Sequence, residues 1–203
     1  MRTPSPTSRS PIAGVIAFAL MMAATMTPGC ATEPRTTGPY APMTEADRRT
    51  ALAERLTGEA VDVMGEDPGR AEALLRDALT ADLYHGPAHN NLGVLYLRQG
   101  RLYEAAGEFE WARKLLPGHP DPRFNLALTL ERGGRLDDAL AMYETSTEIA
   151  PGFVPSIQAQ ARVLVRQGRG DARLRPLLEE IAMRGETETW RAWARKELAL
   201  RAG

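Results

Sequence analysis

The chain has 203 residues, of which 25 are basic and 26 acidic, and its formal net charge is −1. This balance gives no support to nucleic-acid binding, because a domain that binds nucleic acid usually carries a strongly basic surface. The single cysteine excludes an internal disulfide, and no stretch alternates between apolar and polar residues as a strand would. The absence of strand-like alternation predicts an all-α protein.

The N-terminal segment, 1–29, differs from the rest of the chain in composition. Arg2 and Arg9 give a positively charged start, and residues 12–26 form an apolar core. This core is shorter than the roughly 20 residues that a membrane-spanning helix needs. We predict a secretory signal peptide over 1–29. A short membrane anchor that stays attached to the protein is the alternative.

Cys30 lies shortly after the apolar core, between Gly29 and Ala31. This arrangement resembles a bacterial lipoprotein signal, in which a cysteine after a small residue is acylated and becomes the new N-terminus. Thr27-Pro28 stands where that family prefers leucine and a small residue. The resemblance implies a lipid anchor on Cys30, and Ala31 implies sorting to the outer membrane, facing the periplasm. The alternative is a free thiol beside an ordinary cleavage site, which would give a soluble periplasmic or secreted protein.

Residues 31–43 are rich in proline, threonine and glycine and lack hydrophobic periodicity. Together with the lipidated cysteine, they predict a flexible tether over 30–43. A flexible coil of this length reaches roughly 20 Å. The remaining residues, 44–203, are predicted to form one helical domain.

Helical periodicity continues through this domain and repeats at a fixed interval. Gly100, Gly134 and Gly168 recur at that interval as predicted helix stops. We predict helix pairs at about 44–84, 86–119, 120–153 and 154–185, and a capping helix over 186–202. Trp190 and Trp193 lie in this last helix, where capping and ligand stacking are alternative roles. The fourth pair departs from the repeat, because Arg173 and Glu180 replace alanines, and its stripe Leu174, Leu177, Leu178 and Ile181 predicts a shifted register.

The repeat also carries a specific motif. Five residues recur 34 positions apart: Leu92, Tyr96, Ala105, Phe109 and Pro117 are followed by Leu126, Leu130, Ala139, Tyr143 and Pro151. This spacing resembles the tetratricopeptide family, whose pattern is W-x2-L-G-x2-Y, A-x3-F and P. His89 and Arg123 occupy the tryptophan position. The resemblance implies a right-handed α-solenoid of about four helix-turn-helix pairs plus a C-terminal capping helix, which presents surface for protein–protein interaction.

In this family the first helix of each pair lines the concave face. The predicted groove for a protein partner consists of Asn90, Asn91, Val94, Leu97, Phe124, Asn125, Leu128, Gln158, Arg162 and Val165. The alternative is that curvature lets these side chains cover one another. Asn91 and Asn125 match an asparagine that binds peptide backbone in some relatives, and a local structural role is the alternative. Leu56, Ala60, Asp121 and Asn125 stand where carboxylate-clamping relatives need basic residues, so chaperone-tail binding is not predicted.

Arginines recur at every turn between paired helices. The predicted basic ridge consists of Arg98, Arg101, Arg132, Arg135, Arg166 and Arg169. One hypothesis is that this ridge contacts an acidic partner or an anionic surface. The other is that these arginines only stabilise helix C-termini and are neutralised by nearby acidic residues.

No pattern in the chain indicates catalysis. The three histidines are His85, His89 and His119, and no HExxH motif or cysteine ligand accompanies them. We therefore predict no enzyme activity, metal or cofactor. The sequence predicts an envelope-anchored interaction scaffold, and the anchor with its repeats is similar to lipoproteins of pilus assembly and secretion. An adaptor that recruits peptidoglycan or other envelope enzymes is the alternative.

Overall fold

The computed structural model describes residues 44–169 and 172–201. The predicted signal peptide, Cys30 and the tether lie outside the described residues. Within those ranges the chain forms nine α-helices and no strand. The helices are α1 (Glu45–Val63), α2 (Pro68–Ala81), α3 (Gly86–Arg98), α4 (Leu102–Leu115), α5 (Asp121–Arg132), α6 (Leu136–Ile149), α7 (Val154–Arg166), α8 (Leu174–Arg184) and α9 (Glu188–Leu200). None of these helices combines the length and the apolar character that a membrane crossing requires.

Several helices begin at residues whose side chains cap the first turn, or with a proline in that turn, and several are followed by a glycine with positive φ. Thr44 and Asp47 form a capping box at the start of α1, and Asp67 caps α2 immediately before Pro68. Gly100 has a φ of 76° and follows the end of α3. There its N–H bonds to the Leu97 carbonyl, and the Arg101 N–H bonds to the Tyr96 carbonyl. This is the Schellman pattern, and it recurs at the repeat interval after α5 and α7.

Paired helices approach closely because small residues face large ones. A side chain added at Gly93 in α3 would place its Cβ 2.6 Å from the Phe109 ring of α4. Phe109, Ala105 and Ala112 are fully buried, as the motif predicts. Glycine at position 93 is therefore required by the packing of α3 on α4.

Neighbouring helices stack in chain order. In the described part of the chain, the substantial contacts join helices that are one or two apart in sequence, such as α3 with α4 and α3 with α5. The buried residues form two clusters, one from Ala53 to Leu126 and one from Ala127 to Ala194. This succession of pairs is the arrangement of a solenoid. The predicted all-α solenoid of about four pairs and a terminal helix is confirmed.

The fourth pair differs from the others in register. Leu174, Leu178 and Ile181 are the buried residues of α8, each one position later than the repeat interval would place it. Arg173 is exposed as a result. The next helix, α9, begins at Glu188, one repeat interval after Val154 begins α7. It therefore takes the place of the first helix of a fifth pair.

Candidate functional site

The predicted groove residues lie on α3, α5 and α7, and most are half-buried. We call these half-buried residues the groove face; its members are Asn90, Asn91, Val94, Phe124, Asn125, Leu128, Arg162 and Val165. Leu97 and Gln158 are corrections to the prediction, because they are only 5% and 3% exposed. Leu97 belongs to the first core cluster, where the last turn of α3 packs inward. The Nε2 of Gln158 is buried without a hydrogen-bond partner.

Polar contacts join the groove residues of successive repeats. The Asn125 Nδ2 donates to the Asn90 Oδ1 at 3.1 Å, which links α5 to α3. Asn125 therefore has a structural contact between repeats. Asn91 lines a cavity of about 220 Å³ between the starts of α3 and α5, together with Pro87 and Pro122.

Phe124 is held by other aromatic residues. Its ring centroid lies 5.7 Å from that of Tyr143 and 5.7 Å from that of Phe153, which meets it edge-on at 84°. These contacts fix the ring between α6 and the start of α7. The aromatic part of the groove face is therefore held in place by contacts within the chain.

Glu131 is a functional candidate that the sequence did not single out. This α5 side chain is 9% exposed, and its carboxylate accepts hydrogen bonds from the Tyr143 hydroxyl at 2.9 Å and from Arg162 at 2.7 Å. The Arg166 guanidinium lies 3.7 Å from the same carboxylate. Burial, together with the adjacent Glu131 charge, raises the pKa of Tyr143. Glu131 stands where the preceding repeat has Leu97 and the following repeat has Val165. This acidic residue at an otherwise apolar position was the signal in the sequence that could have identified it.

The predicted basic ridge separates into two rows. The turn row consists of Arg101, Arg135 and Arg169, and each is paired with a carboxylate. Arg101 contacts Glu72 at 3.2 Å and Glu104 at 3.1 Å, and it also covers the Tyr96 ring. These arginines stabilise the turns and the contacts between pairs.

The helix-end row consists of Arg98, Arg132 and Arg166, in the last turns of α3, α5 and α7. Among the described residues no carboxylate forms an ion pair with Arg98 or Arg132. The Arg132 Nη1 instead donates to the Leu97 carbonyl at 3.1 Å. The structural hypothesis for the ridge therefore describes the turn row and also Arg166, whose guanidinium lies 3.7 Å from Glu131. The partner hypothesis stays a prediction for Arg98 and Arg132.

The histidines do not form a metal site in the described ranges, where no group of three potential ligands occurs. His89 has both ring nitrogens occupied, by Glu108 Oε2 at 2.7 Å and by the Leu83 carbonyl at 3.0 Å. It also stacks on Trp111, with ring centroids 5.7 Å apart. His89 therefore fills the family's tryptophan position as a packed and hydrogen-bonded residue.

Comparison with known proteins agrees with this architecture. Residues 65–120 and 103–152 match the tetratricopeptide repeat family model. No curated protein matches the chain in sequence. Several solved structures share the fold at only 15% to 22% identity, so the likeness concerns the fold alone.

Three of these solved structures show how widely the fold occurs. The first tetratricopeptide domain of Spaghetti (RPAP3), bound to an HSP90 peptide, is 15% identical with a TM-score of 0.56, covering 59% of this chain and 95% of that one. MamA from Desulfovibrio magneticus RS-1 is 16% identical with a TM-score of 0.54, covering 63% and 71%. A Thermobaculum terrenum O-GlcNAc transferase mutant is 22% identical with a TM-score of 0.61, covering 68% of this chain but 27% of the transferase.

The family match and the shared fold agree with the stacking of α1 to α9. Residues 65–152 therefore match the tetratricopeptide repeat family, and the described helices form an all-α solenoid with the fold of that family.

Proposed function

We propose that this protein is a scaffold, held at the cell envelope by a lipid on Cys30, that binds a segment of another protein along α3, α5 and α7. The observation that carries the proposal is the groove face. Its apolar members Val94, Leu128 and Val165 remain partly accessible while the opposite stripe of the same helices is buried. Apolar side chains among polar ones on one surface are typical of a binding groove for a peptide segment.

Rigidity supports binding at this face. The Asn125–Asn90 hydrogen bond and the Glu131–Arg162 ion pair fix α5 against α3 and α7. A surface that is already ordered loses little conformational entropy when a partner binds. Most of the conformational entropy lost on binding is then lost by the partner segment.

The envelope location rests on the sequence around Cys30, which lies outside the described residues. The lipid on Cys30 and the tether over 31–43 would hold the solenoid near the outer membrane, facing the periplasm. Pilus or secretion assembly is the narrower proposal, because anchored repeat proteins of this build occur in such systems. Replacing Cys30 with serine should release the protein from washed membranes, and unchanged membrane association would contradict the anchor.

Site-specific photo-cross-linking in the native host tests the binding face. A photoreactive phenylalanine analogue at Leu128 should cross-link one envelope protein, and the same analogue at Asn91 should cross-link the same protein. Tyr103 on α4 is the matched control, because it is 90% exposed and lies away from the groove face. A second variant with Val94→Glu should lose the cross-link from Leu128. Equal cross-linking from Tyr103, or none from Leu128, would contradict the proposed function.

A further inference from the structure

A cavity separates α7 from α9 at the C-terminal end of the groove face. Its volume is about 400 Å³, and it is lined by Arg162, Val165, Arg166, Thr189, Trp190 and Trp193. The helix α9 occupies the position that the first helix of a fifth pair would have. The two tryptophans of α9 face α7 across a gap, and this gap is the cavity. Its size falls within the range of pockets that enclose a ligand group.

The tryptophans give the cavity an aromatic wall. Their ring centroids lie 5.3 Å apart with an interplanar angle of 85°, so each ring fixes the other edge to face. Both rings are half-buried and pack against the second core cluster. With Val165 they offer a preformed apolar surface for one large side chain.

The arginines give the cavity an excess of positive charge. Arg162 and Arg166 lie one helical turn apart on α7, and both reach the single carboxylate of Glu131. That carboxylate also accepts the Tyr143 hydroxyl, so it is shared among three donors. The Arg166 side chain is 57% exposed and its contact with Glu131 is the longer one, at 3.7 Å. Arg166 therefore has donors available for a second carboxylate.

Acidic residues of α9 do not cancel this charge. Glu188, next to Thr189, is already bound by Arg191 and Arg195. The helix-end row continues the positive charge from Arg166 towards Arg132 and Arg98. A negatively charged segment that enters along this row reaches the tryptophans at its end.

We propose that this cavity anchors one aromatic side chain of the partner segment, and that an acidic residue beside that aromatic group pairs with Arg166. The proposal rests on the proposed function and names the chemistry of the segment that the groove face binds. The aromatic ring packs against Trp190, Trp193 and Val165. The neighbouring carboxylate accepts hydrogen bonds from the guanidinium at the mouth of the cavity.

The test measures binding of synthetic peptides to the purified full chain by fluorescence anisotropy. The probe is a labelled, C-terminally amidated glycine-serine peptide with one tryptophan between two aspartates. One control peptide has alanine instead of the tryptophan, and another has asparagines instead of the aspartates. We expect each control to bind about tenfold more weakly, the effect of losing one charge-assisted hydrogen bond or one aromatic contact.

Variants of the protein locate the peptide. Arg166→Glu should weaken binding of the probe at least about tenfold, because attraction becomes repulsion. Arg70→Glu is the matched control, since Arg70 is exposed at the start of α2 and should leave the affinity unchanged. Trp193→Ala removes half of the aromatic wall. Thr189→Trp is a second variant in case Trp193→Ala unfolds: Thr189 is exposed, and a tryptophan at this position would block the mouth of the cavity. Both variants should bind the probe about tenfold more weakly. The circular dichroism of Thr189→Trp should stay that of the unmodified protein.

Several results would overturn the proposal. These are no binding of the probe, equal binding of the alanine peptide, or equal affinity of the Arg166→Glu variant. A change in oligomeric state with Arg166→Glu would mean that a second copy of the chain fills the cavity instead. In each case loss of the Leu128 cross-link by Val94→Glu would leave the proposed function standing, so the two failures are distinguishable.

Discussion

Glu131 in α5 accepts a hydrogen bond from the Arg162 guanidinium in α7, at 2.7 Å, across two successive repeats. The carboxylate is nearly buried and also accepts the Tyr143 hydroxyl of α6. Three helices therefore meet at one acidic group. This contact fixes the spacing of α5 and α7, and with it the part of the groove face on which a partner would lie.

Replacing Glu131 with glutamine should lower the free energy of unfolding by about 2 kcal/mol, because a buried, charged acceptor is lost. Glu144→Gln is the matched control, since Glu144 also contacts an arginine, Arg173 immediately before α8, at 2.7 Å but is 41% exposed. Its cost should stay below about 1 kcal/mol. Chemical denaturation of both variants measures the difference, and equal costs would contradict the structural role of Glu131.

Substitutions at two glutamines of α7 should change the free energy of unfolding in opposite directions. Gln158 Nε2 is buried without a partner, whereas Gln160 Nε2 donates to the Tyr143 carbonyl at 3.2 Å and to Thr147 at 3.1 Å. Gln158→Leu should raise the free energy of unfolding by about 1 kcal/mol, because an unsatisfied donor leaves the interior. Gln160→Leu should lower it by a similar amount. Thermal and urea unfolding distinguish them, and a destabilised Gln158→Leu variant would mean that its amide is bonded.

Two glycines test the close approach of the paired helices. Gly93→Ala should destabilise the protein by about 1–3 kcal/mol, because the new methyl group meets the Phe109 ring. Gly107→Ala in α4 has open space and should stabilise it by about 0.5–1 kcal/mol through helix propensity. Unfolding curves measure both changes. A neutral Gly93→Ala variant would show that α3 and α4 pack less tightly than described.

Much of this fold follows from the sequence because the repeat controls local packing. The positive φ of Gly100 and its two counterparts, and the burial of Phe109 against Gly93, follow from the motif spacing. Leu97 is predicted to line the groove but lies in the core. Its burial depends on how closely the next pair approaches, which the helical periodicity of α3 alone does not specify.

The candidate site was predictable only in part. The repeat identified the helices that carry the groove face, and it identified every arginine of the basic ridge. It did not separate the paired turn row from the helix-end row, because Arg101 and Arg169 also form ion pairs with residues that are far apart from them in sequence. Arg169 with Asp137, in the preceding repeat, is one example. The cavity beside Trp193 was missed for the same reason, since it depends on the spacing of α7 and α9.

His85 makes stability depend on pH. Burial lowers the pKa of His85, although Asp82 and Glu54 oppose this effect and His89 adds to it. The unfolded chain therefore binds this proton more readily than the folded protein. The contribution of neutral His85 is fully present above pH of about 6.5 and is lost as pH falls through the lower pKa of the folded state.

Replacing His85 with glutamine should remove this loss of stability in acid. Urea unfolding of the unmodified protein and of His85→Gln between pH of about 5 and 8 provides the measurement. The difference in unfolding free energy should shift in favour of the variant as pH falls. A difference that is constant over this range would contradict the burial effect on His85.

The central claim is that a protein segment binds across α3, α5 and α7. The most direct measurement is amide hydrogen exchange on the full chain, alone and in complex with the envelope protein that the Leu128 cross-link identifies. We predict slower exchange in α3, α5 and α7 in the complex, with α2, α4 and α6 unchanged. Protection confined to α2, α4 and α6, or no protection at all, would contradict the claim.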